Sequence, residues 1–235
     1  MYKYETHLHT FPVSRCAKAS VRESLAFYKT QGYDGVFVTN HFINGNINID
    51  KSLPFAEKIN FYFSDYEEAL RLSEQIGIKV FLGVEMTYGG SDFLIYGLDK
   101  EWYLAHPEIE ELKYSELLTL CMESGAFVVH AHPFRDASYI DHIRLFPKCC
   151  EAVEIYNASR PEFENQMAIL YARHYEKLMV AGTDNHVAGN RTLFGGVEFE
   201  EPLTDEQDFI AKVREGKAHI FMLNCSHEEE PSASQ

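Results

Sequence analysis

The sequence contains no Cys-x-x-Cys pair: its five cysteines are Cys16, Cys121, Cys149, Cys150 and Cys225, and only one pair is adjacent. An odd count with that spacing excludes a disulfide framework and reads as the reduced thiols of a cytoplasmic protein. No apolar run approaches the ~20 residues that a membrane span needs. The N-terminus also lacks the basic-then-apolar layout of an export signal, so a soluble, unexported chain is expected, with no membrane partner. Basic residues are scarce as well, with 21 Lys and Arg against 36 Asp and Glu, a formal charge of −15. Gripping an extended nucleic-acid backbone needs clustered cations, so no such partner is expected. The acidic surplus reads instead as solvated helix faces. There is no internal repeat and no low-complexity linker. At 235 residues and 46% hydrophobic content, the chain is sized for one α/β domain with a well-buried core.

Strand and helix patterns alternate along that length. Tyr2 to His9 reads as a strand. Ser20 and Glu23 then carry the Ser-x-x-Glu signature of a capped helix start, and Gly32 ends that helix. Gly35 to Thr39 is a short buried-strand run, followed by a polar loop from Phe42 to Leu53 rich in Asn and Ile. Phe55 to Ile76 has mostly helical spacing closed by Gly77, and Ile78 to Val84 resumes as a strand. Further strands are expected at Phe93 to Leu98, Phe127 to His130, Ala152 to Tyr156, Met179 to Thr183, Gly196 to Glu200 and Ala218 to Leu223. Helices are expected at Ser115 to Met122, Glu162 to Leu178 and Asp205 to Arg214. Alternation of this kind predicts right-handed crossovers and a parallel sheet.

What the apolar runs lead into is more informative. His7 and His9 end the first, His41 follows Val36 to Asn40, Glu85 follows Val80 to Val84, and Asp184 with His186 follows Val180 to Thr183. Phe127 to Val129 leads directly to His130 and His132. Metal-ligand residues gathered where buried strands stop mark the carboxyl-end face of a parallel sheet, where barrel and open α/β enzymes place their sites. Two-residue spacing turns His7 and His9 to one face, so both imidazoles can reach one ion. A single His-x-His pair is often just exposed, but the set as a whole points to a metalloenzyme.

With His7-Leu8-His9-Thr10, Thr39-Asn40-His41, Gly83-Val84-Glu85, Ala131-His132-Pro133 and Gly182-Thr183-Asp184-Asn185-His186 in this order, the chain resembles the polymerase and histidinol phosphatase (PHP) superfamily over roughly residues 4 to 190. The resemblance implies a distorted seven-stranded (β/α) barrel, in one domain over residues 1–225, and the polar stretch 226–235 with its three consecutive Glu reads as a disordered acidic tail. It implies two or three divalent transition metal ions, Zn, Mn or Fe. His7, His9, Glu85 and Asp184 would hold one ion, and Glu85 would bridge to a second bound by His132. His41 and His186 would belong to a third. The chain departs from relatives in having no histidine from Phe11 to Arg15, Asn157 where a further ligand often follows the strand, and Asn40 where Asp is common. The open ligand position of the second ion falls to Asn157, Glu154, a water or nothing. His130 and Asn157 are expected to support the ligands from behind.

The activity implied is hydrolysis of a small phosphorylated molecule by a metal-bridging hydroxide, a phosphomonoester more readily than a diester. Histidinol phosphate, a nucleotide or a sugar phosphate would serve. Asp184 would take a proton from the attacking water, and His186 or His41 would give one to the leaving oxygen. Arg15, Arg135 and Arg160 follow site strands and are candidates for gripping phosphate oxygens, with ordinary surface ion pairs as the alternative. Tyr88-Gly89-Gly90-Ser91 is expected in the pocket wall. Tyr88, Phe134 or Tyr156 could stack on a base, or simply pack the core. The competing activities are a regulatory metal-binding module and a metal-dependent amidohydrolase. The carboxylated lysine usual in the latter has no counterpart at a strand end here.

Overall fold

The Ser20 side chain accepts a hydrogen bond from the Glu23 N–H while Glu23 reaches back to the Ser20 backbone, which starts helix α1 (Val21–Thr30) where the capping signature placed it. Helix α2 (Phe55–Ile76) stops at Gly77, whose φ of 75° is the left-handed conformation that glycine takes at no steric cost. The computed structural model describes residues 1–189 and 191–224, so the tail expected at 226–235 lies outside the described residues. The strands are β1 (Tyr2–Leu8), β2 (Gly35–Val38), β3 (Lys79–Tyr88), β4 (Ser91–Tyr96), β5 (Phe127–Ala131), β6 (Ala152–Asn157), β7 (Leu178–Gly182), β8 (Leu193–Phe199) and β9 (His219–Asn224). The remaining helices are α3 (Lys100–Ala105), α4 (Tyr114–Glu123), α5 (Glu162–His174) and α6 (Glu206–Arg214). Among the described residues no helix is long and apolar enough to cross a membrane.

One nine-stranded sheet runs in the order β7-β6-β5-β4-β3-β2-β1-β8-β9. It curls until the segment after β7 meets β1 again, with Leu8 bridging Asn185 and the His9 N–H donated to the Asn185 carbonyl at 3.0 Å. The result is a nearly closed α/β barrel, but not the seven-stranded, wholly parallel sheet that the alternation suggested. Strand β4 runs antiparallel between β3 and β5, and β8 and β9 add two antiparallel strands beyond β1. The reason at β4 is local. Tyr88 pairs with Ser91 across Gly89 and Gly90, whose φ angles of 52° and 90° form the tight turn that a Gly-Gly pair favours. The Tyr88-Gly89-Gly90-Ser91 segment is therefore a hairpin turn first.

Aromatic side chains fill the barrel at the end where the parallel strands begin. Phe37 stacks on Phe81 at 4.8 Å between ring centres, and Phe209 of α6 packs on Phe37, Tyr96, Phe127 and Phe199. This plug closes one end of the barrel with apolar contacts. The polar residues of the interior are left to the other end, where the strands stop.

Candidate metal centre

His7 and His9 reach the strand ends from β1, His41 follows β2, Glu85 lies in β3, and His132, Asp184 and His186 follow β5 and β7. The expected ligands converge. His7 Nε2 lies 3.1 Å from Glu85 Oε1 and 3.2 Å from His9 Nε2, while His9 Nε2 lies 3.3 Å from Asp184 Oδ1. His41 Nδ1 lies against Glu85 Oε2, and His132 Nε2 is 3.5 Å from Glu85 Oε1. Glu85 is thus central, with one oxygen toward His7 and His132 and the other toward His9 and His41. Ligand atoms lie within 4.8 Å of one another in each of three groups: His7, His9 and Asp184; His7, Glu85 and His132; and His9, His41 and His186. Asp184 and His132 hold φ angles of 52° and 24°. Such values are costly for residues with a Cβ and cluster at functional sites.

The chain behind these side chains sets which ring nitrogen is free. His7 Nδ1 lies 2.9 Å from Glu154 Oε1, His9 Nδ1 lies 3.1 Å from Ser14 Oγ, and His186 Nδ1 lies 2.9 Å from the Asp184 carbonyl. A hydrogen bond donated from Nδ1 leaves Nε2 as the lone-pair side. Ser14 can accept from His9 because its own proton goes to Asn40 Oδ1, and Asn40 in turn donates to the buried Asp65. The Asn at position 40 therefore acts on His9 through Ser14, with the carboxylate supplied by Asp65. Glu154 also accepts the His132 N–H and the Asn157 side-chain amide. Asn157 braces Glu154, and Glu154 braces His7.

His130 does not support the ligands. His132 follows the end of β5 with a positive φ, so two-residue alternation does not carry through it. His130 stacks on Phe93 at 4.7 Å, with Nδ1 3.5 Å from the Tyr171 hydroxyl. Burial among those rings pulls its pKa down to about 3. The three aromatics considered for stacking are engaged too: Tyr88 stacks on Tyr114, Phe134 meets Tyr171 edge-on, and the Tyr156 ring lies over Gly195.

A cleft of about 740 Å³ opens over the ligands, walled by Cys16, His41, Asp92, Arg135, Arg160, Asp184 and His186 among others. Arg135 ion-pairs with buried Asp92 at 2.8 Å, and Arg160, in the same wall, has a buried Nε without a hydrogen bond. Arg15 is exposed and absent from the wall; the next residue, Cys16, takes that place. Sequence reasoning did not single out Asp92, 3.7 Å from His132 Nε2, nor Glu5, which accepts the His7 and Thr183 N–H groups. It also passed over Arg191, which pins Thr183, Asn185 and Ser159 beneath the Asp184 loop. Glu5 carries the one legible signal, standing two residues before His7 on the same strand face.

The donor set fits divalent cations. Burial opposes charge on Glu85 and Asp184, yet the surrounding imidazoles hold both carboxyls well below the usual range. Burial likewise opposes a charged His7, but Glu154 and Asp184 outweigh it and hold its pKa well above normal. Buried carboxylates at this density need compensating positive charge, which protons or metal ions can supply. Glu85 Oε2 and His41 Nδ1 are buried against each other with no other hydrogen-bond partner, and His132 Nε2 is buried without a hydrogen bond, an arrangement that a cation would complete.

A family model described as PHP-associated matches residues 162–218, the segment that contains Asp184 and His186. No curated protein matches the chain. Among solved structures, a two-domain protein from Bacteroides vulgatus containing a predicted PHP-like metal-dependent phosphoesterase is 16% identical, with a TM-score of 0.69 over 94% of this chain. The chain spans 64% of that protein's length. PsfC from Pseudomonas syringae is 15% identical with a TM-score of 0.58, covering 96% of this chain and 93% of that one. An amidohydrolase from Chromobacterium violaceum, with bound sulfate and no metal, is 13% identical with a TM-score of 0.57, covering 97% and 100%. These likenesses are of fold, and with the matched family model they support the PHP superfamily resemblance read from the strand-end motifs.

Proposed function

We propose that the chain is a metal-dependent phosphoesterase acting on a small phosphorylated molecule, with monoesters preferred. The observation that carries this reading is the convergence of His7, His9, His41, Glu85, His132, Asp184 and His186 at the floor of a cleft whose wall also presents Arg135 and Arg160. Imidazoles and carboxylates hold the cations, and guanidinium groups match the oxygens of a phosphoryl group. Bound ions would supply Lewis acidity, bringing the pKa of water toward ~7 and offsetting charge on phosphoryl oxygens.

The chain's own residues do the rest. Arg160 and Arg135 orient the phosphoryl group; Arg135 is itself fixed by Asp92. Asp184 is the proton acceptor for water, placed at the ligand cluster and held there by Arg191, which donates to the carbonyl of the preceding Thr183. In protein with its His186 nitrogen unligated, His186 donates a proton to the leaving oxygen. Burial disfavours its charged form, but Cys16 and Asp184 more than offset that and raise its pKa, which favours the proton-donating form. Ser14, Asn40 and Asp65 keep His9 in one tautomer.

A comparison of phosphate monoesters, phosphodiesters, and amide or cyclic-amide substrates on metal-loaded protein tests the proposal. Turnover of monoesters above the other classes is expected. Turnover of amides alone would replace it with the amidohydrolase reading, and turnover of none, by protein that binds metal, with a binding or regulatory role.

A further inference from the structure

We infer that a second cavity, beside the ligand cleft, is the leaving-group pocket of the hydrolase and selects phosphate monoesters whose alcohol carries a planar aromatic ring. The inference rests on the phosphoesterase reading and deepens it by naming the class of ester. The cavity measures about 620 Å³, within the range of small-molecule sites. It adjoins the cleft, because Asn44 and Thr87 line both. The segments that deliver two of the ligands also build its wall. His41 bridges Glu85, and the Phe42 N–H is donated to the Glu85 carbonyl at 2.8 Å. The residues that follow, Phe42 to Asn44 on one segment and Thr87 with Tyr88 on the other, line the cavity. Asn44 Nδ2 donates to the Thr87 carbonyl at 3.1 Å, so this pair forms the sill between the metal centre and the cavity.

The lining suits a ring. Ile109, Tyr114 and Leu117 are buried residues that contribute to it. Tyr88 stacks on Tyr114 at 4.5 Å between ring centres, nearly parallel, and Phe146 meets both edge-on. The Tyr114 contact occupies one face of Tyr88, which remains 46% exposed. A substrate ring can extend this stack, and offset-stacked rings attract beyond the area they bury. Of the charged side chains in the lining, Glu110 is already paired with Lys58. In the reaction the water oxygen bonds to phosphorus, the phosphorus–oxygen bond to the alcohol breaks, and the departing oxygen takes up a proton. The products are inorganic phosphate at the metal centre and an aromatic alcohol in the cavity.

Steady-state hydrolysis of ethyl phosphate, of phenylalkyl phosphates of increasing linker length and of their cyclohexyl counterparts tests this on the full metal-loaded chain. All are esters of primary alcohols, so the chemistry at the leaving oxygen is matched. The best phenylalkyl ester should exceed ethyl phosphate in kcat/KM by roughly 10–100-fold, the gain expected from burying one ring, and should exceed its cyclohexyl counterpart. Ser115→Trp and Leu112→Trp, each adding bulk to the cavity lining, should remain folded by circular dichroism and erase the preference for the phenylalkyl ester. A measurement without a variant is calorimetric titration of native protein with the phenylalkyl alcohol, which should bind, and more tightly than the cyclohexyl alcohol. Equal kcat/KM across the series, a cyclohexyl ester as good as the phenyl one, a preference that survives in the folded variants, or an alcohol that does not bind overturns the inference and leaves the phosphoesterase reading standing. Release from none of the esters, by protein that binds metal, overturns both.

Discussion

At the scale of single residues, the site depends on groups that touch no ion. Ser14 gives its proton to Asn40 and so can accept from His9 and from the His41 N–H. Ser14→Ala should therefore leave the fold intact and lower metal affinity by roughly 10–100-fold, as loss of a hydrogen-bonding support does; competition titration with a chelating dye measures it. Arg160 is the clearest substrate handle, since Arg135 is already ion-paired with Asp92 and Arg160 lines the same cleft. Arg160→Ala should raise KM by about 10-fold or more with a smaller change in kcat. Arg15→Ala, at an exposed position away from the cleft, should change neither. Steady-state kinetics on one phosphate ester separates the two variants.

Asp65 gives the site a pH-dependent cost. Burial pushes its carboxyl up to about 6, against hydrogen bonds from Thr10, Val13 and Asn40. Because the folded pKa is raised, the stability from the protonated form is fully present below pH ~4 and is lost as pH rises through about 6. Asp65→Asn should thus gain on the native chain by up to about 3 kcal/mol between pH ~4 and pH ~7. Urea denaturation of both proteins at the two ends of that window checks the sign. None of this was legible in the sequence, because Asp65 sits within α2 and only the fold brings it under Asn40. The ligands themselves were legible because each follows an apolar run.

At the scale of elements, close approach between β1 and β7 sets the position of His7. A Cβ on Gly182 would lie 2.6 Å from His7 Cβ and 3.0 Å from Glu154 Oε1. Gly182→Ala must push β1 or β7 outward, costing about 1–3 kcal/mol of stability and weakening metal uptake at the His7 group. Thermal melts with and without added zinc would show both effects, and a variant with native stability and uptake would refute this packing account. Helix limits were read closely where a chemical signal marked them, as at Ser20, Phe55 and Gly77. The antiparallel β4 was missed because a short apolar run has no direction in sequence. Its only marker was the Gly89-Gly90 pair that turns the chain back. Helix α5 ends at His174, earlier than periodicity suggested, because Glu176 takes a φ of 52° and the chain turns into β7.

At the scale of the whole molecule, the barrel separates two chemistries. Aromatic rings plug the end where strands begin, and buried carboxylates with imidazoles occupy the end where they stop. That polarity is what the alternating pattern conveys before any coordinates, since parallel strands must present their carboxyl ends together. The number of strands does not follow from it, because β8 and β9 extend the sheet by hairpin pairing outside the alternation. The central claim is that this polar end hydrolyses phosphate esters with metal held by the imidazole and carboxylate cluster. Its most direct test is phosphate release from an aryl phosphate, nucleotides, sugar phosphates and histidinol phosphate by protein reconstituted separately with Zn, Mn and Fe, beside a His9→Ala control. The account predicts release that requires both added metal and His9, falling by about 100-fold or more in the variant. Release that persists undiminished in His9→Ala, or no release by native protein carrying its metals, would contradict it.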